Sequence, residues 1–266
     1  MITRKLSLPR RLSWFKETDA QSDRLSVDQH LYWNKIAAIY DHFYSDRWSQ
    51  LEDRLVCKRL KNIAYNPAGI VLDLACGTGH GYELLRYSLD ISEYHGVDTS
   101  QAMLAELAAK YPELQAIHGT MDDLSCLPSD HYSLATVFYS SASYSNDPKR
   151  LLAEIYRLLE PGGHAYYSVL NRTSLRRIFS AKRGPLEHYR TRGDTATSSG
   201  VPAVALTRRQ IRSAARAAGF QVMSLHGLGA LAGVFQHPIA WLPSRLMDVS
   251  VPFLSHTQEL IARKAN

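Results

Sequence analysis

The stretch Ile70-Val-Leu-Asp-Leu-Ala-Cys-Gly-Thr-Gly-His-Gly81 constrains this chain more than any other. An apolar run reaches an acid, Asp73, and breaks at once into a loop carrying Gly77, Gly79 and Gly81. Residues 82–87 then have the pattern of a helix. Glycine permits tight turns and a close approach of backbone to ligand. Free N–H groups at the start of a helix favour an anionic group. Strand, glycine loop and helix in this order predict a nucleotide-type site in a doubly wound α/β fold.

The spacing is G-x-G-x-G, not the dinucleotide G-x-G-x-x-G, and Tyr82 stands where the third dinucleotide glycine would be. Asp73 sharpens the choice. A carboxylate half buried beneath a ligand needs a charged partner or hydrogen bonds. A pyrophosphate would repel it, whereas a ligand with an ammonium group suits it. That favours S-adenosylmethionine (SAM), whose amino-acid end carries an ammonium beside a sulfonium. The alternative is that Asp73 only caps the loop.

Val71, Leu72, Asp73, Ala75, Gly77 and Gly79 resemble motif I of the class I SAM-dependent methyltransferases, V-L-D-x-G-x-G-x-G, with Ala75 in place of the first glycine. The resemblance implies SAM as cofactor and S-adenosylhomocysteine as its product. It assigns cofactor contacts to Asp73, Ala75, Cys76, Gly77, Thr78 and Gly79; the Cys76 side chain reads as a small filler. Residues 94–97 read as a second strand ending in Asp98, ~20 residues past the loop, where a carboxylate grips ribose hydroxyls. Thr99 or Ser100 caps the next helix, whose stripe is Met103, Leu104, Leu107 and Ala108. By resemblance Thr99 and Met103 line the adenine pocket, although Met103 reads equally as core.

Gly119-Thr-Met-Asp-Asp-Leu124 resembles the family's G-D-x-x-x-L segment, with Thr120 where the acid is usual. Thr120 or Asp122 then accepts from the adenine amino group, and the Met121 N–H serves a ring nitrogen. Leu159-Glu-Pro-Gly-Gly163 resembles the L-x-P-G-G marker before the fifth strand, read here as 164–170. Asp147-Pro148 opens the preceding helix, with Leu151, Leu152, Ile155, Leu158 and Leu159 at helical spacing, and Pro161-Gly162 stops it. The four segments fall in family order across residues 70–170.

The implied fold is α/β: a doubly wound, mostly parallel seven-stranded sheet with an antiparallel last strand, helices on both faces and an N-terminal helical lid. Residues 207–218 read as a helix, and 220–225 and 257–264 as the closing strands. One domain is expected over 26–266, divided into the lid (26–65), a SAM-binding half (66–170) and two irregular acceptor-side stretches (171–206 and 227–253). Residues 1–25 form a basic arm. Its first 16 residues hold Arg4, Lys5, Arg10, Arg11 and Lys16 without an acid. They read as a mobile arm or an organelle-targeting segment, and lack the apolar core of a secretory signal.

At 266 residues, 45% hydrophobic and 21% charged, the chain suits one soluble globule, and a cytoplasmic location is expected. Three cysteines without a C-x-x-C pair argue against a disulfide framework or zinc, and no metal is expected. The segment after the fourth strand, Tyr139-Ser-Ser-Ala, lacks the N/D-P-P-Y/F of DNA amino-methyltransferases, so no nucleic-acid partner is expected.

The acceptor is therefore read as a small molecule. Trp33, Ala37, Tyr40 and Asp41 resemble the W-x-x-x-A-x-x-Y-D pattern of a lid helix, with Tyr44 shortly after it. Tyr40 would meet the cofactor carboxylate and Tyr44 the acceptor. Tyr139, Ser140 and Tyr144 occupy the position that faces the transferred methyl: Ser140 as a cofactor contact, Tyr139 and Tyr144 as positioning groups. His188 and His237 are base candidates for a hydroxyl acceptor. Arg176 and Arg177 suit an acidic group on the substrate, and Trp241 belongs to an apolar run that lines the site or joins two copies, giving a monomer or homodimer. Family analogy places the enzyme in specialised metabolism. Two other readings stay open: an NAD(P)-dependent oxidoreductase, and a non-catalytic SAM-fold scaffold.

Overall fold

The structure is a computed structural model and describes residues 30–45, 47–174, 188–190, 202–229 and 254–266. A helical segment over 30–36, here α1, runs into a 3-10 helix, Ala37–Tyr44, and is followed by α2, Arg47–Leu60. The alternating core then begins with β1 (Ile70–Leu74), α3 (His80–Ser88), β2 (Glu93–Asp98), α4 (Gln101–Lys110) and β3 (Gln115–His118). It continues with β4 (Tyr132–Val137), a short 3-10 turn (Ser141–Tyr144), α5 (Pro148–Leu158) and β5 (Leu159–Asn171). After β6 (His188–Arg190) and β7 (Pro202–Leu206) come α6 (Arg208–Ala217), β8 (Gln221–Leu228) and β9 (Thr257–Arg263).

Cap chemistry sets several of these boundaries. The Asp147 carboxylate accepts from the N–H groups of Lys149 and Arg150 with Pro148 in the first turn, which opens α5. Ser100 accepts from Met103 N–H at the start of α4. Thr207 and Gln210 form a reciprocal capping box for α6.

The sheet order is β3-β2-β1-β4-β5-β7-β6, and β9 pairs antiparallel with both β5 and β8. The antiparallel last strand agrees with the sequence; the strand count does not. Nine strands are present among the described residues, because the stretch 171–206, read as irregular, contributes β6 and β7. The alternation in Pro202-Ala-Val-Ala-Leu206 was too short to separate from a loop. β5 also starts at Leu159, five residues before the expected His164. Pro161 lies within it, near its start, where a missing N–H is tolerated.

Leu151, Leu152, Ile155 and Leu158 of α5 and Ile211 and Ala215 of α6 pack on one face of the sheet. Leu55, Val56 and Leu60 of α2, Leu84 and Leu85 of α3 and Leu107 of α4 pack on the other. On that second face α2 is also held by charge. The Arg59 guanidinium pairs with Glu259 of β9 and donates to the Gly227 carbonyl (3.0 Å), while the Tyr166 hydroxyl donates to the same carboxylate. Strand order reverses at β1: the chain winds outward through β2 and β3, then crosses to β4 on the other side. A crevice opens at such a switch point, beyond the carboxyl ends of β1 and β4.

Candidate active site

The glycine loop closes over the carboxyl end of β1. Gly79 has φ of 95°, and a Cβ there would lie 2.5 Å from Leu107 Cδ1, so only glycine lets α3 begin this close to α4. Ala75 is itself left-handed, at φ 58°. Replacing the family's first glycine has therefore left the glycine-type backbone in place, at a strain of about 1–2 kcal/mol. The Cys76 N–H donates to Val97 O (3.1 Å), and its thiol packs against Gly96. Burial pushes that thiol's pKa well up, as suits a filler rather than a nucleophile.

Asp73 is buried to 1% exposure, deeper than the half-burial read from sequence. Tyr94 OH (2.9 Å) and Thr136 Oγ1 (2.7 Å) donate to it, and no cation contacts it among the described residues. Burial pushes its pKa up to about 7, helped by the charge of Asp98 and opposed by the two hydroxyls. A Cβ on Gly81 would lie 2.7 Å from Asp73 Oδ2 and 2.6 Å from Phe138. Gly81→Ala is expected to destabilise the protein by about 1–3 kcal/mol through overpacking, read by thermal denaturation. An unchanged melting temperature would mean that Phe138 swings aside.

Asp98, at the end of β2, is 7% exposed. Its Oδ2 accepts from Gly77 N–H and its Oδ1 from Ser100 N–H, both at 2.8 Å. The carboxylate is thus fixed between the glycine loop and the start of α4. It borders a cavity of about 30 Å³ lined also by Ala75, Thr99, Thr120, Met121, Asp122 and Tyr144, with His30, Val97, Gly119 and Asn146 completing the wall. The Thr120 hydroxyl accepts from Asp122 N–H (3.2 Å). The Asp122 carboxylate accepts from Ser145 Oγ (2.6 Å) and Asn146 N–H (2.9 Å), joining the loops after β3 and β4. Met103 is 2% exposed, packs with Ile36 and Ala37, and does not line this cavity.

The N-terminal helices lie across the glycine loop. Asp41 accepts from Thr78 Oγ1 (2.5 Å) and pairs with Lys110 (2.8 Å), bridging the loop and α4. Burial raises the Asp41 pKa, but these two partners outweigh it and the net shift is downward. Asn34 Oδ1 accepts from Ser100 Oγ (2.7 Å) and Ala102 N–H (3.2 Å). His30 Nδ1 lies 2.8 Å from Thr99 O. Tyr40 sits above Gly77 and shares a 3.0 Å hydrogen bond with Tyr44. Trp33 meets Tyr40 and Tyr144 edge to face. Tyr44 stacks on His80 at 4.8 Å and lies 5.1 Å from Tyr139. Burial raises the hydroxyl pKa values of Tyr40, Tyr44 and Tyr139, that of Tyr44 to about 12, so the rings stay neutral at physiological pH.

Tyr139 and Ser140 are both left-handed, at φ 45° and 64°. Consecutive non-glycine residues held this way mark a loop over-determined by its surroundings. The Tyr139 hydroxyl donates to Asp53 of α2, and Ser140 N–H donates to Ser168 Oγ (3.0 Å). Ser140 Oγ is buried and has no hydrogen-bond partner among the described residues, a polar atom able to serve a ligand. The structure brings Tyr40, Tyr44 and Tyr139, read from sequence in separate roles, into contact, and Trp33 links Tyr40 to Tyr144. Sequence reasoning missed His30, Asn34, Asp53 and His80. His80 stands inside the glycine motif itself, but Asp53 joins it only through the fold. His188 falls in β6, with its side chain outside the described residues; Arg176, Arg177, His237 and Trp241 lie wholly outside them.

Residues 71–163 match the family model described as a methyltransferase domain. Over 137 residues the chain is 30% identical to a malonyl-[acyl-carrier protein] O-methyltransferase of Marinomonas sp., covering 51% of each. It is 35% identical over 102 residues to a phthiotriol/phenolphthiotriol dimycocerosates methyltransferase of Mycobacterium leprae, covering 38% of this chain and 37% of that one. The chain thus spans about half or less of the length of these curated relatives. The structure resembles that of a SAM-dependent methyltransferase from Mesorhizobium loti, with a TM-score of 0.59 and 21% identity over 80% of this chain and 98% of that one.

Proposed function

We propose, on the premise that this chain belongs to the class I SAM-dependent methyltransferases, that it transfers a methyl group to a small-molecule acceptor with an apolar body. The observation that carries the reading is the Asp98 carboxylate, fixed by the N–H groups of Gly77 and Ser100 on the rim of the cavity at the switch point. The residues fit the cofactor: a left-handed Ala75 backbone, the small Gly77 beneath Tyr40, and a Ser140 hydroxyl without a partner among the described residues.

SAM supplies an electrophilic methyl group on a sulfonium. In this reading Asp98 holds the ribose hydroxyls, and Thr99, Thr120, Met121 and Asp122 surround the base. Ala75, Cys76, Gly77, Thr78 and Gly79 cradle the amino-acid end, with the charge of Asp73 beneath it. Trp33, Tyr40, Tyr44, Tyr139 and Tyr144 exclude water and offer aromatic faces to a cation. The contacts Asp41–Thr78 and Asn34–Ser100 hold the N-terminal helices beside the glycine loop and the start of α4, next to the crevice at the switch point.

The relatives are named for malonyl-[acyl-carrier protein] and for phthiotriol/phenolphthiotriol dimycocerosates. The apolar stretch 227–253 with Trp241, and Arg176 and Arg177 beside it in function, would shape the acceptor side. A cytoplasmic enzyme of specialised metabolism, monomeric or homodimeric, is the setting proposed. No helix among the described residues is long and apolar enough to cross a membrane.

Calorimetric titration tests the reading. S-adenosylhomocysteine should bind the native protein, NADPH should not, and Asp98→Ala should weaken binding at least tenfold, about 1.4 kcal/mol. Binding of NADPH, or full affinity in the variant, would overturn it.

A further inference from the structure

One titratable cluster at the switch point has no part in holding the cofactor as described above. His80, the first residue of α3, lies between the glycine loop and the loop after β4. Its ring is 18% exposed, stacked on Tyr44 at 23° and tilted against Tyr139 at 5.5 Å. Its Nε2 is 3.2 Å from Asp53 Oδ1, the same oxygen that accepts from Tyr139 OH. Two aromatic rings and a carboxylate fix this imidazole in place.

We propose that His80, oriented by Asp53, takes the proton from a neutral hydroxyl acceptor, an alcohol or phenol, during methyl transfer. This rests on the methyltransferase reading and deepens it. Nucleophile, base and orienting carboxylate form the arrangement that activates a hydroxyl. As an acceptor oxygen lone pair forms the new C–O bond, the C–S bond breaks and its electron pair stays on sulfur as a neutral thioether. The O–H proton passes to the ring nitrogen that Asp53 does not hold. The resulting imidazolium lies between Asp53 and Glu83, whose Oε2 is 4.0 Å from Nδ1.

The electrostatics select the same class of acceptor. Among the described residues, the groups shown to face His80 are Asp53 from α2, Glu83 from α3, Asp41 and Tyr44 from the 3-10 helix, and Tyr139 from the loop after β4. Three of these five are carboxylic acids and none is a cation. A carboxylate acceptor would be repelled there and has no proton to give, whereas aromatic walls accommodate a phenol ring.

The test uses the full chain with two probes of equal body, 4-octylphenol and 4-octylbenzoate, and follows S-adenosylhomocysteine release against pH with S-adenosylmethionine kept saturating at every pH, so that the titration of Asp73 does not enter the profile. The native protein should methylate the phenol, with kcat/KM rising from acid to neutral pH. His80→Gln and Asp53→Asn should each lower kcat/KM at least 100-fold and abolish that acidic limb. Both should keep affinity for S-adenosylhomocysteine within threefold and unfold at the native temperature. Transfer to the benzoate alone, no transfer to the phenol, an unaltered pH profile in His80→Gln, or a loss confined to cofactor affinity would each overturn the assignment. Native protein that binds S-adenosylhomocysteine but leaves the phenol untouched refutes only this inference. Native protein that fails to bind it refutes the methyltransferase reading as well.

Discussion

Glu259→Gln should cost about 3–5 kcal/mol of unfolding free energy, seen as a lower urea midpoint with an unchanged slope. Arg59 and Glu259 are 6% and 1% exposed, so neutralising the acid takes a carboxylate away from a guanidinium held out of water, leaving a weaker amide beside it and the Gly227 carbonyl among its contacts. The size of the loss measures the removal of that charge partner, not the net worth of the pair. A double variant, Arg59→Met with Glu259→Leu, removes both charges and should recover most of the stability. If Glu259→Gln alone costs under about 1 kcal/mol, water reaches the pair and α2 is not anchored through it. Because α2 also carries Asp53, the same variant should loosen the clasp on Tyr139 and His80.

Asp73→Asn should move stability and cofactor affinity in opposite directions. The folded protein keeps a proton on Asp73 up to about pH 7, whereas the unfolded chain releases it near pH 3.8. Between those values the folded state binds more protons, so this group's contribution to stability falls as pH rises from ~4 to ~7 and is level above. The total loss is about 4 kcal/mol as an order of magnitude. Asparagine cannot ionise, so the variant should be more stable than the native protein at pH 8 and show no advantage at pH 4. It should also bind S-adenosylhomocysteine at least tenfold more weakly, having lost the charge beneath the ammonium. In the native protein affinity should fall by up to tenfold per pH unit below 7, as binding must first expel that proton. Unchanged affinity with the stability gain intact would make Asp73 a scaffold for Tyr94 and Thr136 alone.

The sequence was most informative where chemistry is local. Gly77, Gly79 and Asp98 could be placed because a glycine loop and a strand-end acid sit at fixed offsets from one βα unit. The cap Asp147 was legible, as was Ser100 as one of two candidates, because each serves N–H groups two or three residues away. What escaped depends on distance along the chain. Asp53 reaches His80 across 27 residues and Tyr139 across 86, and no periodicity announces such contacts. Strands β6 and β7 escaped because three to five residues give too little alternation to distinguish a pairing strand from a loop. The depth of Asp73 was underestimated for a related reason: its partners Tyr94 and Thr136 come from the neighbouring strands β2 and β4, and sequence spacing alone does not show that both supply hydroxyls.

The pairing of Arg59 with Glu259 spans 200 residues, which sets an order of events during synthesis. At ~5–20 residues per second, the helix bearing Arg59 leaves the ribosome roughly 10–40 s before its counter-ion exists. During that interval β1 to β5 emerge, all of them before the β9 carboxylate that pairs with the guanidinium. Docking of that helix ahead of β9 would bury the guanidinium without Glu259, so its final packing waits for the closing strand. The helix that brings Asp53 to the crevice is thus among the last parts of the molecule to be locked in place.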